Sequence, residues 1–180
     1  MEGSPTLAAA AGFALLLGVG SWGKLRRMEG FEAVLADYRI VPRWLLRWAA
    51  GTIASCEGAL AGLWLSAPWL VEMAVIAGVG TALLMAVYAG VIALNLLRGR
   101  SWIDCGCGGG EQLSWILVVR NLALTGFALL PLAIIDPGPP KWADLAVSVP
   151  ILAVAALLYL AARTLLENAA AMRPLSEAPR

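Results

Sequence analysis

The chain has no histidine at all and only three cysteines in 180 residues. The first absence removes Ser-His and Cys-His catalysis and every metal site that needs imidazole. The second excludes the disulfide framework of a small secreted domain. Charge is scarce too, at 14% of residues with a net +1. Soluble domains carry nearer a quarter, and an electrostatically driven nucleic-acid binder would show clustered Lys and Arg in a strongly basic chain. What is abundant is apolar: 61% of residues, with a mean hydropathy of +0.80. The composition is that of a small integral membrane protein whose chemistry must use Cys, carboxylates, Lys/Arg, Tyr or Trp.

Five apolar spans follow one another, at about 3–23, 48–71, 73–97, 112–135 and 145–162. A helix needs about 20 apolar residues to cross a bilayer, and no alternation typical of outer-membrane strands appears. Pro42, Pro68, the glycine run from Gly106 to Gly110 and the Pro137-Gly138-Pro139-Pro140 segment break the spans. The expectation is an all-α, polytopic membrane bundle forming a single transmembrane domain over 1–180. Rows of small residues, Ala54-Gly58-Gly62 and Gly78-Ala82-Ala86-Gly90, are expected to make its helix contacts.

The first span lacks the positive leader of a signal peptide, because its basic cluster follows the apolar run. Alternating sides gather 11 of the 13 Lys and Arg on one side: Lys24, Arg26, Arg27, Arg39, Arg43, Arg47, Arg98, Arg100, Arg163, Arg173 and Arg180. Only Lys141 falls opposite, and Arg120 lies within a span. By the positive-inside rule the N-terminus is extracytoplasmic and the C-terminus cytoplasmic in a cell (inner) membrane. The eight tryptophans fall near span ends, as interfacial anchors do. Between the first two spans Met28, Phe31, Val34, Leu35 and Tyr38 recur at helical spacing, which predicts a short interfacial helix with its apolar face toward acyl chains.

The chemistry starts at Asp104-Cys105-Gly106-Cys107-Gly108-Gly109-Gly110. Two thiols across one glycine can close a small, strained disulfide ring that exchanges readily. Idle cysteines in a flexible turn are the plain alternative, and a soft-metal thiolate site is a third. Glu57 is an ionisable group at mid-span, where charge is costly and normally faces the bundle interior. Arg120 in the fourth span is its natural partner, with Lys24 a possible third member. A permanent cation near the loop would favour a thiolate. A structural ion pair is the competing reading for Glu57 and Arg120. Cys56, a lone membrane cysteine, reads first as a small apolar filler.

Ser21-Trp22-Gly23-Lys24-Leu25 with Phe31 and Tyr38, then Glu57-Gly58, Asp104-Cys105-Gly106-Cys107-Gly108 and Arg120-Asn121-Leu122 with Leu124 resemble the successive signatures of the methylamine-utilisation MauE family, within the DoxX-like group of small helical membrane proteins. The resemblance runs from about Ser21 to Leu124. It departs at Gly108-Gly109, where the family commonly has Phe nearby, and Cys56 lies outside the pattern. It implies a helical bundle that assists disulfide formation or thiol transfer for an extracytoplasmic client, beside a thioredoxin-like thiol–disulfide protein. Cys105, Cys107, Glu57 and Arg120 are then the acting residues, with Cys56, Lys24 and Asn121 in support. The implied partners are the lipid bilayer, the thioredoxin-like protein and the client, with no nucleic acid, and no cofactor is required. The charge count sets the cysteine loop on the cytosolic face, in tension with an extracytoplasmic client. A transmembrane relay through Cys56 would reconcile the two. A soft-metal binder or transporter and a non-catalytic assembly factor are the other readings.

Overall fold

The computed structural model describes residues 4–106 and 112–133, a helical stretch at 146–150 and three single positions beyond it. Cys107 and most of the span expected at 145–162 lie outside the described residues. Within them the chain is helical: α1 (Ser4–Arg26), α2 (Met28–Tyr38), a single 3-10 turn at Arg43–Leu45, α3 (Leu46–Ser66), α4 (Val71–Leu97) and α5 (Trp115–Ala133).

The breaks have local causes. Arg39 takes a left-handed conformation (φ 51°) and ends α2, and Pro42 keeps the following residues from rejoining it. Gly99 (φ 72°) ends α4, its N–H reaching the Leu96 carbonyl at 2.9 Å while Arg100 N–H reaches that of Asn95 at 3.0 Å. This is the paired closure that glycine permits at a helix C-terminus.

Helices α1 and α3 pack together, as do α4 and α5, and α3 against α4 joins the pairs. The α1–α3 pair is antiparallel, because Phe13 meets Trp64, Gly18 meets Ala61 and Ser21 meets Gly58. The packing inverts the usual soluble arrangement. Half of the buried apolar residues are alanines, whereas Leu15, Val19, Val79, Leu83, Val87, Val119, Leu122 and Phe127 face outward. Small residues inside and large aliphatic ones outside are what helix association in lipid favours.

Two described helices, Leu7–Arg26 and Val71–Leu97, are long and apolar enough to cross a membrane, against the five spans expected from sequence. The apolar part of α5 is shorter (Trp115–Leu130), and α3 is diluted by Gly51, Thr52, Ser55, Glu57 and Gly58.

Three further expectations are corrected. The small-residue rows do not stay at the interface: Ala54, Gly78 and Ala82 are buried, but Gly62, Ala86 and Gly90 are exposed. A step of four residues advances about 400° around a helix with 3.6 residues per turn, so such a row drifts by about 40° per step. Trp64 is no interfacial anchor. It is fully buried, stacked on Phe13 with ring centroids 5.1 Å apart, and its Nε1 donates to Thr81 Oγ1 at 2.9 Å. The apolar face of α2 meets protein rather than acyl chains, since Tyr38 belongs to a buried cluster with Ala89, Ile92, Ile103, Leu113 and Leu117.

Candidate functional site

Two apolar clusters are separated by a polar layer. The first runs from Ala10 to Leu17 on α1, Leu60 to Ala67 on α3, Ala74 to Met85 on α4, and includes Ala128 on α5. The second takes Ala89 and Ile92 from α4, Leu117 and Val118 from α5, and Tyr38 from α2. Between them each helix contributes polar groups: Ser21 and Lys24, Glu57, Tyr88, and Arg120 with Asn121.

Lys24 Nζ donates to both carboxylate oxygens of Glu57, at 2.8 and 2.7 Å. Both side chains are buried, at 9% and 4% relative exposure. Tyr88 donates its hydroxyl to Glu57 Oε1 at 2.6 Å, and Ser21 Oγ donates to the Ala54 carbonyl at 2.8 Å. Three helices therefore converge on one carboxylate. A bidentate ammonium and a phenol are what a buried carboxylate needs to offset its lost hydration. The backbones must come close for this. A Cβ on Gly20 would lie 3.2 Å from Glu57 Oε2, and one on Gly58 would lie 3.0 Å from Ser21 Oγ.

The sequence made Arg120 the natural partner of Glu57 and Lys24 a third member. It is Lys24 that grips both oxygens of the carboxylate. Arg120 is half-buried on α5 beside the buried Asn121, whose amide donates to the Leu117 carbonyl at 2.8 Å. Cys56 is exposed on the outer side of α3, although Glu57 beside it faces inward. Tyr88 was missed. A single tyrosine in an uncharged apolar run carries no periodic signal, and only its polarity inside that run could have marked it.

The cysteine turn sits at the same end of the bundle as α2. Asp104 Oδ1 accepts the Gly106 N–H at 2.8 Å, an Asx turn that sets the bend. Leu113 N–H donates to the Ile103 carbonyl at 3.0 Å and closes the base of the loop. Gly106 has φ +75°, and a Cβ there would lie 3.2 Å from Phe31 Cε2 and 3.3 Å from Val34 Cγ1. Tyr38 donates its hydroxyl to the Cys105 carbonyl at 3.4 Å, and Cys105 is half-buried against the second apolar cluster. Phe31 also faces the polar layer: Lys24 Nζ stands 5.4 Å from its ring centroid. One aromatic ring thus lies beside both the buried ion pair and the Cys105-Gly106 turn. Among the described residues no group of three or more Cys, Asp, Glu or His side chains is arranged to hold a metal ion.

The model of the family described as Methylamine utilisation protein MauE matches residues 3–134. The chain is 38% identical over 160 residues to Methylamine utilization protein MauE of Paracoccus denitrificans, covering 84% of this chain and 82% of the relative. It is 36% identical over 149 residues to the protein of the same name from Methylorubrum extorquens, covering 74% and 72%. A third such relative, from Paracoccus versutus, is 36% identical over 157 residues. No solved structure matches.

Proposed function

The chain belongs to the methylamine utilisation protein MauE family, and from that premise we propose that it is a multi-pass membrane bundle whose Cys105 and Cys107 exchange disulfides with a thioredoxin-like partner. The beneficiary is a client protein of methylamine utilisation that needs its own disulfides. The observation that carries this reading is the support under the turn. A glycine in the left-handed region, an Asx bend and the Phe31–Val34 face of α2 shape the turn beside Cys105, whose carbonyl accepts from Tyr38. Two idle cysteines in a loose loop would need none of these contacts.

The exchange balances without any further oxidant. A thiolate of the client's dithiol attacks the Cys105–Cys107 disulfide, forming a mixed disulfide and releasing one loop thiolate. The client's second thiolate then attacks the mixed disulfide, which leaves the client oxidised and the loop a dithiol. Two electrons and two protons have passed from client to loop. The reverse exchange with the disulfide form of a thioredoxin-like protein restores the loop. Arg120, near the loop along α5, supplies a permanent cation that favours the thiolate.

The turn shares its end of the bundle with Lys24, Arg26, Arg27, Arg39, Arg43, Arg47, Arg98 and Arg100. The positive-inside rule sets that end in the cytosol and the N-terminus outside, so oxidation of an extracytoplasmic client requires electrons to cross the membrane through the protein, with Cys56 the remaining thiol to relay them. A membrane-impermeant thiol reagent then labels the loop only after cells are permeabilised. Labelling of intact cells would move the turn to the extracytoplasmic face.

Trapping tests the function directly. With Cys105→Ser or Cys107→Ser, the remaining loop thiol is expected to stay covalently joined to its partner, and mass spectrometry of the adduct names it. Full methylamine-dependent growth in both variants, with no adduct, removes the redox reading and leaves an assembly role without chemistry.

A further inference from the structure

We infer that Phe31 is a positioning residue for the disulfide exchange, setting the Cys105–Gly106 turn against the buried Lys24–Glu57 pair. The inference rests on the redox reading above and deepens it, assigning the ring beneath the turn a measurable effect on the loop's redox equilibrium.

Three observations converge on this ring. First, Phe31, Val34 and Tyr38 lie on one face of α2, at the i, i+3 and i+7 positions, and all three meet the turn. Phe31 and Val34 support Gly106 from below, while the Tyr38 hydroxyl holds the Cys105 carbonyl. Second, Phe31 is anchored on its other side. Lys24 Nζ stands 5.4 Å from the ring centroid while both its oxygen partners on Glu57 are within 2.8 Å. The ammonium is fixed by the buried carboxylate, and its cation–π attraction draws the ring toward that fixed point. Third, the contact leaves no slack. A single methyl added at Gly106 would come within 3.2 Å of Cε2, closer than ordinary packing allows. Glycine at this position answers two demands, a left-handed φ and contact with the ring.

The consequence for exchange is one of effective concentration. Closing the ring requires both sulfurs to meet, and a turn already fixed loses less freedom in doing so than a free one. Removing the ring should make the loop disulfide less stable relative to its dithiol, without altering the chemistry of either thiol.

The experiment equilibrates the purified full-length protein, in detergent or nanodiscs, with glutathione buffers of fixed ratio. In each, the loop dithiol and glutathione disulfide give the loop disulfide and two glutathione thiols. The oxidised fraction is read from the mass of the alkylated loop peptide. Phe31→Ala should lower the equilibrium constant for loop oxidation by about tenfold, equivalent to about 30 mV for a two-electron couple. Phe31→Tyr, which keeps the ring, should stay within about twofold of the parent. Gly106→Ala should also lower the constant, but its effect should shrink in the Phe31→Ala background, where the added methyl meets no ring. Should Phe31→Ala fail to fold, Phe31→Leu with Gly106→Ala carries the same cycle.

The outcomes separate. A parent loop that forms no disulfide in any buffer removes the redox reading and this inference with it. A parent that does, with Phe31→Ala unchanged, removes the inference alone. Strictly additive effects of Phe31→Ala and Gly106→Ala would show that the ring acts elsewhere than on the turn, and would also overturn it.

Discussion

At one end of the bundle Phe13 stacks on Trp64, Trp64 bonds to Thr81, and alanines from α1, α3 and α4 close around them. At the other, a lysine, a glutamate and a tyrosine meet in the interior, and an aromatic ring connects them to a glycine-centred turn that carries a thiol. The first end is built from apolar contacts around one side-chain hydrogen bond, and its buried cluster contains no charged side chain among the described residues. The second places polar groups in the interior and turns its backbone through left-handed residues at Arg39, Gly99 and Gly106. The contrast teaches that the fold and the chemistry are supported by different contacts. Perturbing one end should therefore leave the other measurable.

The largest expected effect is on the ion pair. Glu57→Ala leaves the ammonium of Lys24 buried without its carboxylate, at a cost of about 3–5 kcal/mol. Lys24→Met combined with Glu57→Gln removes both charges and should recover most of that loss, so the two single effects should not add. Thermal unfolding of the detergent-solubilised protein checks this, and simple additivity would mean that the two side chains are not partners. Next, Trp64→Ala empties the opposite end and should cost about 3–5 kcal/mol from the lost transfer and the cavity left behind. The loop disulfide equilibrium of the molecules that remain folded should be unchanged. A shift there would erase the division between the ends. Tyr88→Phe deletes one hydrogen bond to a buried carboxylate and should cost about 1.5–3 kcal/mol by the same unfolding measurement. Smallest is Cys56→Ala, on the exposed side of α3, which should change stability by less than about 0.5 kcal/mol. A larger change would give Cys56 a part in the packing.

These residues also mark how far the sequence could be read. Helix α2 was visible in the spacing of Met28, Phe31, Val34, Leu35 and Tyr38, because amphipathic period survives without tertiary context, but the protein surface its apolar face meets was not. The polar character of Glu57 was visible too, since charge in an apolar run is conspicuous, whereas Lys24 read first as part of the basic cluster that closes the first span. Which cation met Glu57 was not. That depends on the rotational phase of three helices, and a residue's neighbour, about 100° around the helix, can have the opposite fate, as Cys56 and Glu57 show. The small-residue rows misled for the same reason. Cys-Gly-Cys announced itself as chemistry, but its support by Tyr38 joins residues 67 positions apart, which no local pattern encodes.

The separation of Lys24 from Glu57 has a consequence for how the protein is made. The two lie 33 residues apart, and at about 5–20 residues per second a ribosome needs roughly 2–7 s to travel between them. During that interval the nascent α1 carries an ammonium with no counter-ion, in its last turn beside Arg26. On the membrane reading, its long stem lets the charge wait among headgroups and water. It is drawn inward only when α3 arrives antiparallel and offers the carboxylate. Docking of α3 on α1 is thus a dated event in biogenesis. A nascent chain arrested before Glu57 should still display Lys24 to amine-reactive reagents, and one arrested well beyond α4 should not.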